Sequence, residues 1–213
     1  MSQTEAAREE MVAWQIIGRG IVDPTIVAAM RKVPREMFVH ENLRSAAYKD
    51  EALPIGDRQM ISQPFIAAFM TEALTLKPSD RVLEIGTGTG YHTALLAEMV
   101  AQVFTVEIYP DLAESARATL SGLGYRNIDF LVGDGASGWP DRGPFDAILV
   151  TAAPSLVPDA LMRQLAEGGR LIAPVGVRDQ TVKLFKNKDG QLSVSDLLCV
   201  RFVTPLVASK EAL

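Results

Sequence analysis

The chain has 213 residues, enough for one domain with a sizeable buried core. Hydrophobic residues make up 48% and charged residues 22%, an ordinary globular balance, and a net charge of −5 leaves no electrostatic footprint for nucleic acid. One cysteine, Cys199, excludes an intrachain disulfide and fits a reducing compartment, and two histidines are too few for a usual zinc site.

The start, MSQTEAAREE, is polar and acidic, with no apolar core and no basic n-region, and does not read as a signal peptide. No apolar run approaches the roughly 18–20 residues of a membrane span. The expectation is a cytoplasmic, monomeric protein with no metal, no membrane and no nucleic-acid partner.

The first predicted helix runs over Met11–Arg19 and ends near Gly18 and Gly20. A second runs from Asp23-Pro24 to Met30, with Asp23 as N-cap and Pro24 at the first helical position. Val33-Pro34-Arg35-Glu36 breaks that pattern, and residues 48–64 read as a long ordered loop.

From residue 80 the rhythm becomes strand, helix, strand, helix. Strands are expected at 81–85, 102–108, 127–132, 145–151 and 170–175. Helices are expected at Tyr91–Val100, Asp111–Leu120 and about Pro158–Ala166, the last stopped by Gly168-Gly169. Short apolar strands alternating with helices imply a parallel α/β sheet with helices on both faces. The tail adds a hairpin around Asp189-Gly190 and a further strand in LLCVRFVTPLV, with Cys199 as a small apolar strand residue. The whole reads as one domain: a helical extension and loop over 1–79, then an α/β core with C-terminal strands over 80–213.

The chemistry concentrates in Glu84-Ile85-Gly86-Thr87-Gly88-Thr89-Gly90, between a predicted strand and a predicted helix. Glycines there turn the chain tightly and let a ligand lie on bare backbone. A dinucleotide fingerprint needs glycine at position 91, which is Tyr91, and the Lys-Ser/Thr of a P-loop is missing, so a nucleoside ligand without pyrophosphate fits better. Glu107 ends the second strand of the core, 21 residues after Gly86, where an acid accepts from both ribose hydroxyls. Gly133-Asp134-Gly135 ends the third, where Asp134 can accept from an adenine amino group. Glycine loop, ribose acid and adenine acid together describe S-adenosylmethionine. Glu84 is either a counter-charge to its sulfonium or an anchor for the loop backbone. His92, in the first turn of the following helix, reads as a cap or surface residue.

These segments resemble the protein-L-isoaspartate O-methyltransferases. The resemblance runs from about Met11 to Val207 through MVAWQIIGRGI, VPREMFV, QMISQPFIAAFMTEAL, VLEIGTGTGYHTALLA, LGYRNIDFLVGDG, FDAILVTAA and QLAEGGRLIAPVG. It implies a Rossmann-like methyltransferase sheet with an N-terminal helical extension and a rearranged C-terminal strand pair. It also implies methylation of the carboxylate of L-isoaspartyl residues in damaged proteins or peptides, the ester then collapsing to a succinimide that can return to aspartate. Ser62 matches the family's serine over the methyl-transfer site. By the same resemblance Ile61, Ser62, Glu84, Gly86, Thr87, Gly88, Gly90, Glu107, Ile108, Asp134, Gly135 and Thr151 make up the cofactor site. Ile55, Gly56, Met60, Ile61, Ser62 and Val203 make up the acceptor site.

Two departures fall in the acceptor half. The family usually writes G-Q-T-I-S-Q-P, and here Arg58 stands for the glycine and Met60 for the threonine. An extra residue also lies in Phe202-Val203-Thr204-Pro205-Leu206-Val207, where the family commonly has F-V-P-L. The expected function is therefore isoaspartyl methylation. A related enzyme for another carboxylate or small molecule, or a non-catalytic cofactor-binding module, stand as alternatives, and a nicotinamide dehydrogenase is disfavoured by Tyr91.

Overall fold

The computed structural model describes residues 2–202. Val203 and the rest of the expected 203–207 run lie outside the described residues.

The N-terminal extension begins earlier than its apolar pattern suggests. Helix α1 spans Gln3–Met11, because Ser2 and Glu5 close a capping box that the polar sequence contains. The expected Met11–Arg19 helix is instead a π turn over Val12–Ile16 and a 3₁₀ turn over Ile17–Arg19, ended by Gly20 at φ 95°. Helix α2 spans Pro24–Lys32, and the Asp23 side chain accepts from the backbone N–H groups of Thr25 and Ile26, as its sequence requires.

The expected loop at 48–64 contains a small antiparallel hairpin, β1 (Leu53–Gly56) and β2 (Gln59–Ile61). Its two-residue turn places Asp57 at φ 47° and Arg58 at φ 58°, the twist a tight hairpin needs. Sequence reading missed it because this turn lacks the glycine or asparagine that usually announces one. Pro64 then opens helix α3 (Pro64–Ala73) at its first position.

The core follows the expected alternation: β3 (Arg81–Ile85), α4 (Tyr91–Ala97), β4 (Gln102–Glu107), α5 (Pro110–Gly122), β5 (Ile128–Val132), β6 (Phe145–Val150), α6 (Asp159–Met162) and β7 (Leu165–Val175). Two long strands, β8 (Gln180–Lys188) and β9 (Gln191–Val200), complete a seven-stranded sheet in the order β5-β4-β3-β6-β7-β8-β9. The first five neighbours run parallel, and β8 and β9 are antiparallel additions at one edge.

Neighbouring residues of a strand face opposite sides of the sheet. Val82, Ala147 and Leu149 join the core shared with the extension, α3 and α4, while Leu83, Ile148 and Val150 join the core under α6.

Two expectations near the C-terminus are corrected. The helix expected over 158–166 is one turn, since Leu165 already pairs with Phe145 in the sheet; Gly168 and Gly169 shape a bulge inside β7. Gln191–Val200 is one continuous strand, and Cys199 is exposed on its outer face.

Candidate active site

Strand order reverses between β3 and β6: from β3 the chain steps outward to β4 and β5, and β6 returns on its other side. Open α/β sheets bind ligands in the crevice that such a reversal leaves at the carboxyl ends of the strands. A cavity lies there, lined by Ile85–Thr89, Glu107–Tyr109, Asp134–Ala136 and Val150–Ala152, with the hairpin residues Ile55, Gln59, Met60, Ile61 and Ser62 opposite.

Gly86, Gly88 and Gly90 have φ of 94°, 54° and 88°, where a side chain is strained. A Cβ at Gly86 would stand 2.3 Å from the Thr151 hydroxyl, which donates to the Gly86 carbonyl at 2.7 Å. At Gly88 the nearest atom to an added Cβ is Ile55 Cδ1 at 3.4 Å, so this backbone faces the hairpin across the cavity. Gly90 caps α4 and packs on Leu120, away from the cavity lining.

Glu107 is buried at the cavity wall. One carboxylate oxygen accepts from Gly88 N–H at 2.8 Å and the other from Tyr109 N–H at 3.1 Å. Each oxygen keeps a lone pair, enough for two ribose hydroxyls. Asp134 spends one oxygen on Ala136 N–H at 2.9 Å and leaves the other exposed for an adenine amino group. Gly135 is required beside it, since a Cβ there would come within 2.4 Å of Ile85.

Glu84 is not at the cavity surface. It lies wholly buried under the glycine loop, where Thr93 and Thr105 donate to it at 2.5 and 2.7 Å, and Thr105 meets Thr87 at 2.6 Å. Of its two expected roles the geometry favours the loop anchor. Burial pushes its carboxyl up to about 8, with Glu107 adding to the shift and the two hydroxyls opposing it.

Ser62, Ile61, Met60 and Ile55 all line the cavity, whereas Gly56 shapes the hairpin turn outside it. The Ser62 hydroxyl has no protein partner among the described residues, so the alternative of a local turn bond is not realised. Its carbonyl accepts from Arg35 Nη2 at 2.7 Å. Arg35 is a residue sequence reasoning missed. It is fully buried, donates from Nε to Ala47 O at 2.7 Å, and lies 4.7 Å from the Tyr91 ring centre. Its signal was a charge inside the apolar segment around VPREMFV. The Gln63 side chain ties the same loop to Asp50 at 2.8 Å.

His92 corrects another expectation: it is neither a cap nor at the surface. It is 8% exposed, lines the cavity, and meets Thr71 Oγ1 through Nε2 at 2.8 Å. Among the described residues no cluster of three His, Cys, Asp or Glu side chains could hold a metal, and no helix is long and apolar enough to cross a membrane.

Comparison with known proteins agrees with this geometry. A Picosynechococcus sp. protein-L-isoaspartate O-methyltransferase is 50% identical over 200 residues, covering 94% of this chain and 90% of that protein. A solved protein-L-isoaspartate O-methyltransferase superposes with a TM-score of 0.84 at 33% identity, over 93% of this chain, and the chain spans 65% of that protein's length. A Plasmodium falciparum chain solved in complex with S-adenosyl-L-homocysteine superposes with a TM-score of 0.81 at 26% identity, over 96% of this chain and 98% of that one. The family model for protein-L-isoaspartate(D-aspartate) O-methyltransferase matches residues 7–211, so the chain belongs to that family.

Proposed function

We propose that this chain transfers a methyl group from S-adenosylmethionine to the free carboxylate of L-isoaspartyl residues in damaged proteins or peptides, the opening step of their repair. The observation that carries this reading is one cavity in which the glycine loop, Glu107 and Asp134 face the hairpin and Ser62, whose hydroxyl has no partner among the described residues.

The residues fit the cofactor. Glu107 would hold the ribose hydroxyls, Asp134 with Gly135 the adenine edge, Ile108 its face, and Gly86 to Gly88 the backbone along the amino-acid end. S-adenosylmethionine supplies an electrophilic methyl group on a sulfonium. An acceptor carboxylate is ionised near neutral pH, with an ordinary pKa of about 4, so no general base is needed. The protein's contribution is positioning, which for well-oriented reactants is worth on the order of 7–11 kcal/mol. Ser62 would donate its hydroxyl to the acceptor carboxylate, and Arg35 would fix the loop that carries it. The protein works as a cytoplasmic monomer without metal, as a single domain over 1–213.

The deciding experiment is methyl-ester formation on a synthetic isoaspartyl peptide beside its normal aspartyl twin. Methylation of the isoaspartyl peptide alone is expected. Methylation of neither would favour a relative acting on another carboxylate, a reading raised by Arg58 and Met60 at the acceptor hairpin.

A further inference from the structure

His92 lines the cavity, yet the reaction described above gives it nothing to do. Its protonation pattern follows from its neighbours. The Thr71 hydroxyl donates its single proton to the Ala67 carbonyl at 2.8 Å. Toward His92 the same oxygen can therefore only accept, so Nε2 carries the ring proton. Nδ1 is left with a lone pair, and the hydrogen bond of the ring among the described residues is the one at Nε2.

Burial, aided by the nearby Arg35 charge, lowers the ring to about 3, so it stays neutral at physiological pH. Such a ring is a poor general base, because it resists taking a proton. It is a good fixed acceptor for a cationic N–H, because it adds no second positive charge.

Two hydroxyls on the glycine-loop side of the cavity are already bonded within the protein. The Thr87 hydroxyl is bonded to Thr105, and the Thr151 hydroxyl is given to the Ile85 and Gly86 carbonyls. Glu107 and Asp134 serve the ribose and the adenine in the placement proposed above. The amino-acid end of the cofactor brings an ammonium with three N–H donors to the region where the glycine loop runs into α4. His92 is the second residue of that helix.

We infer that His92 Nδ1 accepts a hydrogen bond from the α-ammonium of S-adenosylmethionine, with Thr71 locking the tautomer that makes this possible. The inference rests on the cofactor placement proposed above. His92 is then a cofactor-binding residue and Thr71 a positioning residue.

The test is a chemical double-mutant cycle read by calorimetry. S-adenosylhomocysteine and its des-amino analogue, which lacks only the ammonium, are titrated into wild type, His92→Leu and Thr71→Val, with folding checked by thermal melts. A hydrogen bond to a charged group predicts about a ten- to hundredfold loss of S-adenosylhomocysteine affinity in His92→Leu. Affinity for the des-amino analogue should stay within about threefold of wild type, the low end of one neutral hydrogen bond. Thr71→Val should show a smaller loss with the same selectivity for the amino ligand. Equal losses for both ligands in a folded variant would overturn the assignment, since a merely structural role weakens both.

A second readout needs no mutation. In wild type the ¹⁵N resonance of His92 Nδ1 should move on adding S-adenosylhomocysteine and stay in place with the des-amino analogue. Equal movement with both ligands, or none with either, also overturns the inference. Wild-type binding of S-adenosylhomocysteine is the control on the cofactor placement itself, separate from the role of His92.

Discussion

Removing the Glu107 carboxylate should weaken S-adenosylmethionine binding more than any other single change at the site. The side chain is 5% exposed and lines the cavity. Two ribose hydroxyls would each donate to a carboxylate oxygen, and hydrogen bonds to charged groups contribute roughly 1.5–3 kcal/mol each. With non-additivity, Glu107→Ala should cost about 2–4 kcal/mol, or roughly 30- to 1,000-fold in Kd. Part of that loss is indirect, because the same oxygens hold Gly88 N–H at 2.8 Å and Tyr109 N–H at 3.1 Å and so shape the glycine loop. Glu107→Gln tests the same contacts with the side-chain shape kept. Its amide keeps one acceptor oxygen but turns an NH₂ toward a backbone donor, so it should lose nearly as much as alanine despite its similar shape. Titration calorimetry with S-adenosylmethionine, alongside a denaturation curve, reads both variants. A folded Glu107→Ala protein with Kd within about threefold of wild type, no more than the low end of one neutral hydrogen bond, would remove Glu107 from the site.

Three further outcomes are expected. Arg58 sits at φ 58°, where a non-glycine residue costs about 1–2 kcal/mol, partly offset by glycine's larger folding entropy of about 0.5–1 kcal/mol; Arg58→Gly should therefore stabilise the fold by up to about 1 kcal/mol in urea unfolding, and a clear destabilisation would show that the side chain holds the hairpin. Met60→Thr restores a hydroxyl at the cavity and should lower the isoaspartyl-peptide KM about three- to tenfold with cofactor affinity unchanged, whereas Ser62→Ala should lower kcat; a Ser62→Ala enzyme with wild-type kcat would place that hydroxyl away from the reacting centre. Glu84 holds its proton to about pH 8 in the native state but only to about 4.5 when unfolded, so its contribution to native stability falls as pH rises through that window, by on the order of 1 kcal/mol per pH unit. Glu84→Gln cannot titrate and should flatten that slope in denaturation curves at pH 5, 6.5 and 8; equal slopes in both proteins would refute it.

The sequence by itself determined the α/β alternation, the glycine loop and the two strand-end acids. These are local signals: short apolar runs, glycines between a strand and a helix, and an acid at or just past a strand's end. The resemblance carried by the Ile61-Ser62-Gln63-Pro64 segment supplied the acceptor half, which local patterning alone left as a loop. Only the tertiary structure decided what distant segments do to one another. Glu84 reads the same on paper whether it meets a ligand or lies under the loop, and Thr93 and Thr105 settle which. His92 looked like a first-turn surface residue because helix periodicity does not reveal that α3 covers that face and brings Thr71 to its ring. Arg35 looked like part of a helix break, yet it links Ala47, Ser62 and Tyr91 across 56 positions of sequence, from 35 to 91. Burial and side-chain pairing are set by packing between elements far apart in the chain, and no window along a single sequence contains both partners.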